Sequence, residues 1–186
     1  MSQVVAEVET KAAPPPLDPT NSGDGPQTTQ PVIAAAIEAA TLEVFSVMLG
    51  LEVHCGEARL GQIAQDLSGV VAVLGLTGAW AGTGQVSCDT ELACEIAGKL
   101  LMAEYAAVDD DVLDAMAEVA NMVVGNVKNA LEETLGPISL STPSVIFGGS
   151  FETRVAAGSD SVVVPFESGG KRMTVQIVIA PHVKRH

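Results

Sequence analysis

Glu118 and Asn121 place a carboxylate and an amide three residues apart in the stretch DDDVLDAMAEVANMVVGNVKNALEETLG. On a helix, residues at positions i and i+3 are neighbours, so this spacing predicts two polar side chains that emerge side by side. A carboxylate forms charge-assisted contacts with cations, whereas an amide both accepts and donates hydrogen bonds. The pair could therefore bind a cation and orient a water molecule at adjacent positions.

The surrounding residues predict one long amphipathic helix, roughly residues 111–134, which Gly136 and Pro137 end. At about 100° per residue, a broad apolar face that must lie on the core collects Leu113, Met116, Ala117, Ala120, Val123, Val124, Val127 and Leu131. Glu118 falls almost opposite that face. Within roughly 60° of Glu118 lie four polar or small residues, Asp114, Asn121, Gly125 and Asn129.

This outward face differs from an ordinary solvated helix surface, because Lys128 is the one cation of the helix. Asn121 is a poor helix former in a helix interior, by up to about 0.7 kcal/mol relative to Ala. Gly125 costs about 1 kcal/mol in the same setting, and its missing side chain permits close approach of another surface. Together these choices predict that a partner docks here, with Asp114 and Gly125 in the contact. The acidic run Asp109–Asp111 has a structural explanation, since acids in a first turn complement the helix dipole.

Composition excludes several other classes of function. Of 186 residues, 47% are hydrophobic and only 3% aromatic, so the core must consist of aliphatic side chains. The net charge of −14 argues against a nucleic-acid partner, which would need clustered Lys and Arg. Three cysteines without a CxxC pair favour a reducing cytoplasm over a disulfide framework. Neither metal-ligand spacing nor a nucleophile–histidine pair is evident, so no metal and no cofactor of the chain's own are expected.

The chain divides into a flexible Pro-, Gly- and acid-rich tail, residues 1–30, and one domain, residues 31–186. The opening MSQVVAEVETK carries acids where a secretory leader would be basic and then apolar. Residues 31–49 contain Glu38 and Glu43, and residues 67–88 contain five glycines, so neither stretch is expected to span a membrane. We therefore expect a soluble cytoplasmic protein.

Helical spacing from Pro31 to Gly50 predicts a first long helix with a core stripe of Ile33, Ile37, Ala40, Val44 and Val47/Met48. Two strand-like runs follow, and then a helix TELACEIAGKLLMAEY that Asp89 caps and that a Glu95–Lys99 pair supports. After the second long helix we expect short strands at 144–147 and 151–155, and a final hairpin. A long helix followed by a hairpin thus occurs twice. The pattern predicts an α+β fold of pseudo-duplicated helix–hairpin units, with helices packed on a curved, mainly antiparallel sheet.

One motif within this order is similar to a known family. The residues Asp114, Glu118 and Asn121, followed by Pro143 in LSTPSVIFGG, resemble the motif of the CheC/CheX/FliY chemotaxis phosphatases. The surrounding sequence is most similar to the CheX branch over roughly residues 31–182. One departure is the interval of 21 residues between Asn121 and Pro143, one fewer than the CheC pattern.

The resemblance implies a CheC-like fold and a hydrolase that removes the aspartyl phosphate of a response-regulator receiver domain (CheY-like). Asn121 would position the attacking water, and Glu118 would contact the receiver's lysine. Mg²⁺ would belong to the receiver, and the phosphatase would be a homodimer. Members with two sites carry a second Glu-x-x-Asn on the first helix, but the matching positions, Glu38–Thr41 and Glu43–Ser46, lack the amide. A single site per chain is therefore expected.

Two alternatives stay open at this point. A non-catalytic homodimeric module could keep the fold and bind a receiver or a flagellar-switch component. A sheet-edge dimerisation domain without a receiver partner is the other. The retained Glu118 and Asn121 favour the phosphatase over the non-catalytic module, since a pure scaffold has no use for that amide.

Overall fold

The computed structural model describes residues 29–61, 65–155 and 159–181, without the side chains of Gln65, Asp66 and Phe151. The expected tail therefore lies outside the described residues, except for Thr29 and Gln30, which are already helical. The helices are α1 (Thr29–Glu43, continued by a π-helical turn, Val44–Leu49), α2 (Thr90–Leu101) and α3 (Asp110–Leu135). The strands are β1 (His54–Cys55), β2 (Arg59–Leu60), β3 (Gln65–Gly78), β4 (Trp80–Cys88), β5 (Ile138–Leu140), β6 (Ser144–Thr153), β7 (Asp160–Ser168) and β8 (Lys171–Pro181).

All described strands join one antiparallel sheet in the order β1-β7-β8-β4-β3-β5, with β2 also paired to β7 and β6 also paired to β3. Two hairpins, β3–β4 and β7–β8, stand side by side with β4 against β8. Strands β1 and β2 of the first half pair with the hairpin of the second half, and β5 and β6 of the second half pair with the hairpin of the first. This exchange follows the predicted duplication, and the α+β class with helices on an antiparallel sheet is confirmed.

The three described helices cover one face of the sheet. Alternate residues of each hairpin point towards them, which buries the aliphatic core that composition required. The principal strand residues of this core are Val70, Ala72, Leu74, Val86, Val164, Val175, Ile177 and Ile179.

Helix α3 lies along β4 and runs in the opposite direction to it. Near the start of α3, the Met116 Sδ lies 3.9 Å from the Cys88 Sγ. Two turns later, Val124 packs on Gly84, where an added Cβ would stand 2.5 Å from the Val124 Cγ1. Glycine at position 84 therefore allows the helix to approach the sheet closely. Burial raises the pKa of the Cys88 thiol to about 12, which leaves this sulfur unreactive.

Helix α1 runs antiparallel to α3 along β7. At its start, the Gln30 amide donates a hydrogen bond to the Asp160 carboxylate at 3.1 Å. Just after its end, the carbonyl of Glu52 accepts one from the Ser168 hydroxyl at 2.8 Å. Asp160 and Ser168 are the two ends of β7, so these contacts set the direction of α1.

By length and composition alone, the helix Thr29–Leu49 could also cross a membrane. Its side chains Ile33, Ile37, Val44 and Phe45 lie in the core of the domain. These contacts are those of a core helix in a globular domain.

Several local expectations need correction. Helix α2 ends at Leu101, because Met102 adopts a left-handed conformation with φ of 54° as the C-cap. Glu95 pairs with Lys171 at 2.9 Å and not with Lys99. Asp89 is the N-cap of α2, yet its carboxylate accepts from the backbone N–H of Arg172 and not from the helix. The two strands expected at 144–147 and 151–155 form one strand, β6, because both segments pair with the long strand β3.

Candidate active site

Glu118 and Asn121 are both exposed on the side of α3 that faces away from the sheet. Asp114 and Asn129 are exposed on the same side. The opposite side is anchored in the core by Val112, Ala115, Met116, Val119, Ala120, Val123, Val124, Val127, Leu131 and Leu135. The expected orientation of the helix is confirmed, with Leu113 and Ala117 half-buried at its margins. We call the surface formed by Asp114, Glu118, Asn121 and Gly125 the polar face.

Both ends of α3 are capped, which holds the polar face on a rigid element. At the N-terminus, the Asp109 carboxylate accepts from the backbone N–H of Val112 at 3.0 Å. At the C-terminus, the backbone N–H of the C-cap residue Gly136 donates to the carbonyl of Glu132 at 3.1 Å. The side chains between these caps project from a helix that cannot rotate without exposing its core residues.

The single cation of α3 is already engaged within the chain. Lys128 Nζ lies 3.0 Å from the Glu132 carboxylate. The backbone hydrogen bond from Ile138 and the nearby Lys128 lower the pKa of the Glu132 carboxyl. Within the described part of the chain, neither Asp114 nor Glu118 forms an ion pair. The carboxylates of the polar face are therefore available to a cation from another molecule.

Gly125 is not needed for packing within the domain. A Cβ added at this position would meet only the Leu140 Cδ1, at 4.0 Å, which is an ordinary contact distance. Its backbone is helical and half-buried, so alanine would fit there and would favour the helix. The glycine leaves the C-terminal end of the polar face without a side chain.

Pro143 lies in the connection between β5 and β6 and is half-buried. In that connection the Ser141 hydroxyl accepts from the backbone N–H of Gly75 at 2.8 Å and donates to the carbonyl of Thr142. The preceding residue Leu140 is the one that faces Gly125. The connection thus begins beside the polar face, and the match of Pro143 to the motif is one of position.

The equivalent part of α1 carries no second pair. Thr41 is buried, and its hydroxyl donates to the carbonyl of Ile37 at 2.8 Å. The exposed Glu43 carboxylate instead accepts from the Asn126 amide of α3 at 3.5 Å. Ser46 donates to the carbonyl of Glu43. Side chains in this region of α1 therefore serve the helix and its contact with α3.

The expectation that Val47/Met48 continue the core stripe of α1 is wrong. Both side chains are exposed, whereas Phe45 and Leu49 of the same turn are buried. The segment Val44–Leu49 is π-helical, and the wider turn rotates the residues that follow away from their α-helical direction. Sequence periodicity at 3.6 residues per turn could not reveal this shift.

A groove of about 740 Å³ lies among strands β1, β2, β3, β4, β7 and β8, and no residue of α3 lines it. Its charged lining residues include Arg59, Arg172, Asp89 and Glu167. Arg172 is paired with Asp89. Among the described residues, none forms a cluster of metal-ligating side chains in this groove or elsewhere.

Known proteins are similar to this chain in both sequence and fold. The sequence model of the family described as "Chemotaxis phosphatase CheX" matches residues 70–167, more than half of the chain. The CheY-P phosphatase CheX of Thermotoga maritima is 26% identical over 117 residues, which cover 62% of this chain and 76% of that protein.

Solved structures of CheX proteins are also similar to this chain. A chemotaxis protein CheX from Desulfovibrio desulfuricans is 28% identical, with a TM-score of 0.71 over 79% of this chain and 98% of that chain. The structure of a CheX–CheY–BeF3–Mg²⁺ complex from Borrelia burgdorferi matches with 28% identity and a TM-score of 0.66. The match covers 78% of this chain and 96% of that one. The polar face, the fold and the family match agree: this chain belongs to the CheX family of chemotaxis phosphatases.

Proposed function

We propose that this chain dephosphorylates the aspartyl phosphate of a CheY-like receiver domain, and that the receiver docks on the polar face of α3. One observation carries the proposal. Glu118 and Asn121 are exposed about one turn apart on a helix whose opposite side is locked into the core. The CheY-P phosphatase activity of the Thermotoga relative and the CheY partner in the Borrelia complex support it.

The phosphatase needs to supply few catalytic groups for this reaction. Phosphoryl transfer depends mainly on positioning and on stabilising charge, and the receiver supplies its own Mg²⁺ and lysine. Water attacks phosphorus, the bond between phosphorus and the carboxylate oxygen breaks, and inorganic phosphate and free aspartate result. The proton released by the water passes to phosphate or solvent.

Asn121 is the catalytic residue in this proposal. Its amide oxygen accepts a hydrogen bond from the attacking water, and its NH₂ group donates to a phosphoryl oxygen or to the lone pair of the water. An amide is too weak a base to remove a proton, but a loose transition state scarcely requires one. The amide therefore acts by holding the water in line with phosphorus.

Glu118 sets the register of docking. Its carboxylate has no cation partner among the described residues. A charge-assisted contact with the receiver's lysine would fix the helix over the phosphorylation site. Asp114, one turn earlier, adds to the same negative surface, and Gly125 lets the receiver approach the helix backbone.

We further propose that the protein is a cytoplasmic homodimer joined through its sheets. The outer edge of β6 has no partner among the described strands, and its residues Ile146 and Phe147 are about half exposed. A long edge strand with exposed apolar side chains is a surface that proteins usually cover. A second copy of the chain could cover it by strand pairing.

The decisive experiment measures loss of phosphate from a receiver domain of the same cell, after phosphorylation, with and without this protein. We expect faster release with the wild type, and no acceleration with Asn121→Ala. Asn129→Ala is a matched control, since Asn129 is exposed on the same side of α3, two turns further along. Binding without acceleration by the wild type would instead support the non-catalytic receiver-binding module.

A further inference from the structure

The π-helical turn at the end of α1 presents two adjacent apolar side chains to solvent. Val47 is 73% exposed and Met48 is 57% exposed. Single exposed apolar residues are ordinary, but adjacent large ones beside a polar surface are typical of a site that a partner covers. π-Turns are rare and frequently occur at functional sites. We call Val47 and Met48 the apolar pair.

The π-helical turn that carries the apolar pair packs against α3, the helix of the polar face. The Asn126 amide donates to the Glu43 carboxylate at 3.5 Å, which joins α1 to α3 at this level. Because the two helices are antiparallel, the turn that follows Glu43 in α1 lies at the same level as the turn that precedes Asn126 in α3. The first of these turns carries the apolar pair. The second carries Met122, which is half-buried and follows Asn121 directly.

A docking receiver needs more than the polar face offers. Specific interfaces commonly bury about 800 Å² per partner and have a desolvated, apolar centre with a polar rim. Asp114, Glu118 and Asn121 supply charge and hydrogen bonds, but no apolar side chain. The neighbouring apolar pair and Met122 supply the missing apolar area.

We infer that Val47 and Met48 form the apolar anchor of the receiver-binding surface. The occupant is the receiver domain itself, whose apolar surface next to its phosphorylated aspartate covers the pair while Asn121 reaches the phosphate. Charge favours this occupant, because the unpaired carboxylates of the polar face match a partner that presents a lysine. This inference rests on the proposed function and adds the residues that set affinity for the receiver.

The test compares affinity for a receiver domain loaded with Mg²⁺ and beryllofluoride, a phosphoryl mimic. The Val47→Ser, Met48→Ser double variant is expected to raise Kd at least about tenfold, as removal of an interface anchor does. It should raise KM for the phosphorylated receiver similarly and leave kcat unchanged, because apolar contacts are made equally before and during the reaction. Both residues are exposed, so the melting temperature should change little.

Two matched variants accompany the test. Val47→Ile with Met48→Leu keeps the apolar area and should retain wild-type affinity. Val32→Ser alters another exposed valine of the same helix, 40% exposed and about 22 Å from Val47 at 1.5 Å rise per residue. It should also leave the affinity unchanged.

Unchanged Kd for the receiver in the double variant would overturn the inference. If the double variant also lost self-association, the apolar pair would instead contact a second copy of the chain. A wild type that binds the receiver but releases no phosphate would overturn the proposed hydrolysis, and the anchor would still be judged by Kd. A wild type that neither binds nor dephosphorylates would overturn both.

Discussion

The Glu132 carboxylate accepts a hydrogen bond from the backbone N–H of Ile138 at 2.9 Å, across the turn that follows α3. The same carboxylate holds Lys128 at 3.0 Å. One acidic side chain thus connects the last turn of α3 to β5 and pairs with the cation of the helix.

The first prediction concerns the pH dependence that follows from this contact. A carboxyl whose pKa is lower in the folded chain stabilises the fold above its unfolded pKa, near 4.5 for Glu132, and this stability is lost as the pH falls through the folded pKa. Glu132→Gln should therefore lower the melting temperature at pH 7 and have a smaller effect below about pH 4. Glu133→Gln, an exposed neighbour, is the control. An equal effect of both variants at pH 7 would contradict the role of Glu132.

The second prediction tests Asn121 as the residue that positions water. Asn121→Ala should reduce the phosphate-release rate by at least about 100-fold, since misplacing a reacting group commonly costs that much. Kd for the beryllofluoride-loaded receiver should change less than about threefold, which separates positioning from docking. An unchanged rate would remove the mechanism.

Glu118→Lys is the third prediction. Reversing the charge would set a cation against the receiver's lysine, so binding should be lost, and Glu118→Gln should weaken it in a way that diminishes at high salt. Titration calorimetry at two ionic strengths measures both effects. Glu133→Lys makes the same change at an exposed site near the end of α3 and should bind normally. Equal binding by wild type and Glu118→Lys would exclude Glu118 from the interface.

The fourth prediction separates stability from docking at Gly125. Gly125→Ala should raise the free energy of unfolding by about 0.5–1 kcal/mol, because the helix gains a better former and the added Cβ meets only Leu140. Gly125→Leu should fold as well as the wild type but bind the receiver more weakly, since its side chain occupies the open C-terminal end of the polar face. Denaturant unfolding and Kd are measured on the same samples. If Gly125→Leu binds as tightly as the wild type, the receiver does not approach the helix there.

The last prediction concerns the sheet edge. Ile146→Asp should convert a dimer to a monomer in light scattering, because a charge would be buried where β6 pairs with a second copy. Leu60→Asp, which alters a similarly exposed apolar residue on β2, should stay dimeric. A monomeric wild type, or a monomer produced only by Leu60→Asp, would exclude dimerisation through β6.

Much of this protein could be predicted from sequence because its dominant signals are local. The 3.6-residue period of residues 111–134 placed Glu118 and Asn121 outside and the aliphatic residues inside, and the described structure has both. Gly136 ends α3, and Gly50 ends the first long helix with a left-handed conformation, as their positions predicted. Period-two alternation likewise identified the final hairpin.

What only the tertiary structure decided depends on residues far apart in the chain. Glu95 pairs with Lys171 of β8 and not with Lys99, its neighbour in the sequence. The carboxylate of Asp89 accepts a hydrogen bond from the backbone N–H of Arg172 and not from the helix that Asp89 caps. In the π-turn, Val47 faces solvent while Phe45 and Leu49 lie in the core, an arrangement that a 3.6-residue period does not predict. Periodicity determines which side of a helix is apolar. Packing of the helices on the sheet then decides where a helical turn widens and which charged side chains pair, because both depend on contacts that form only in the folded chain.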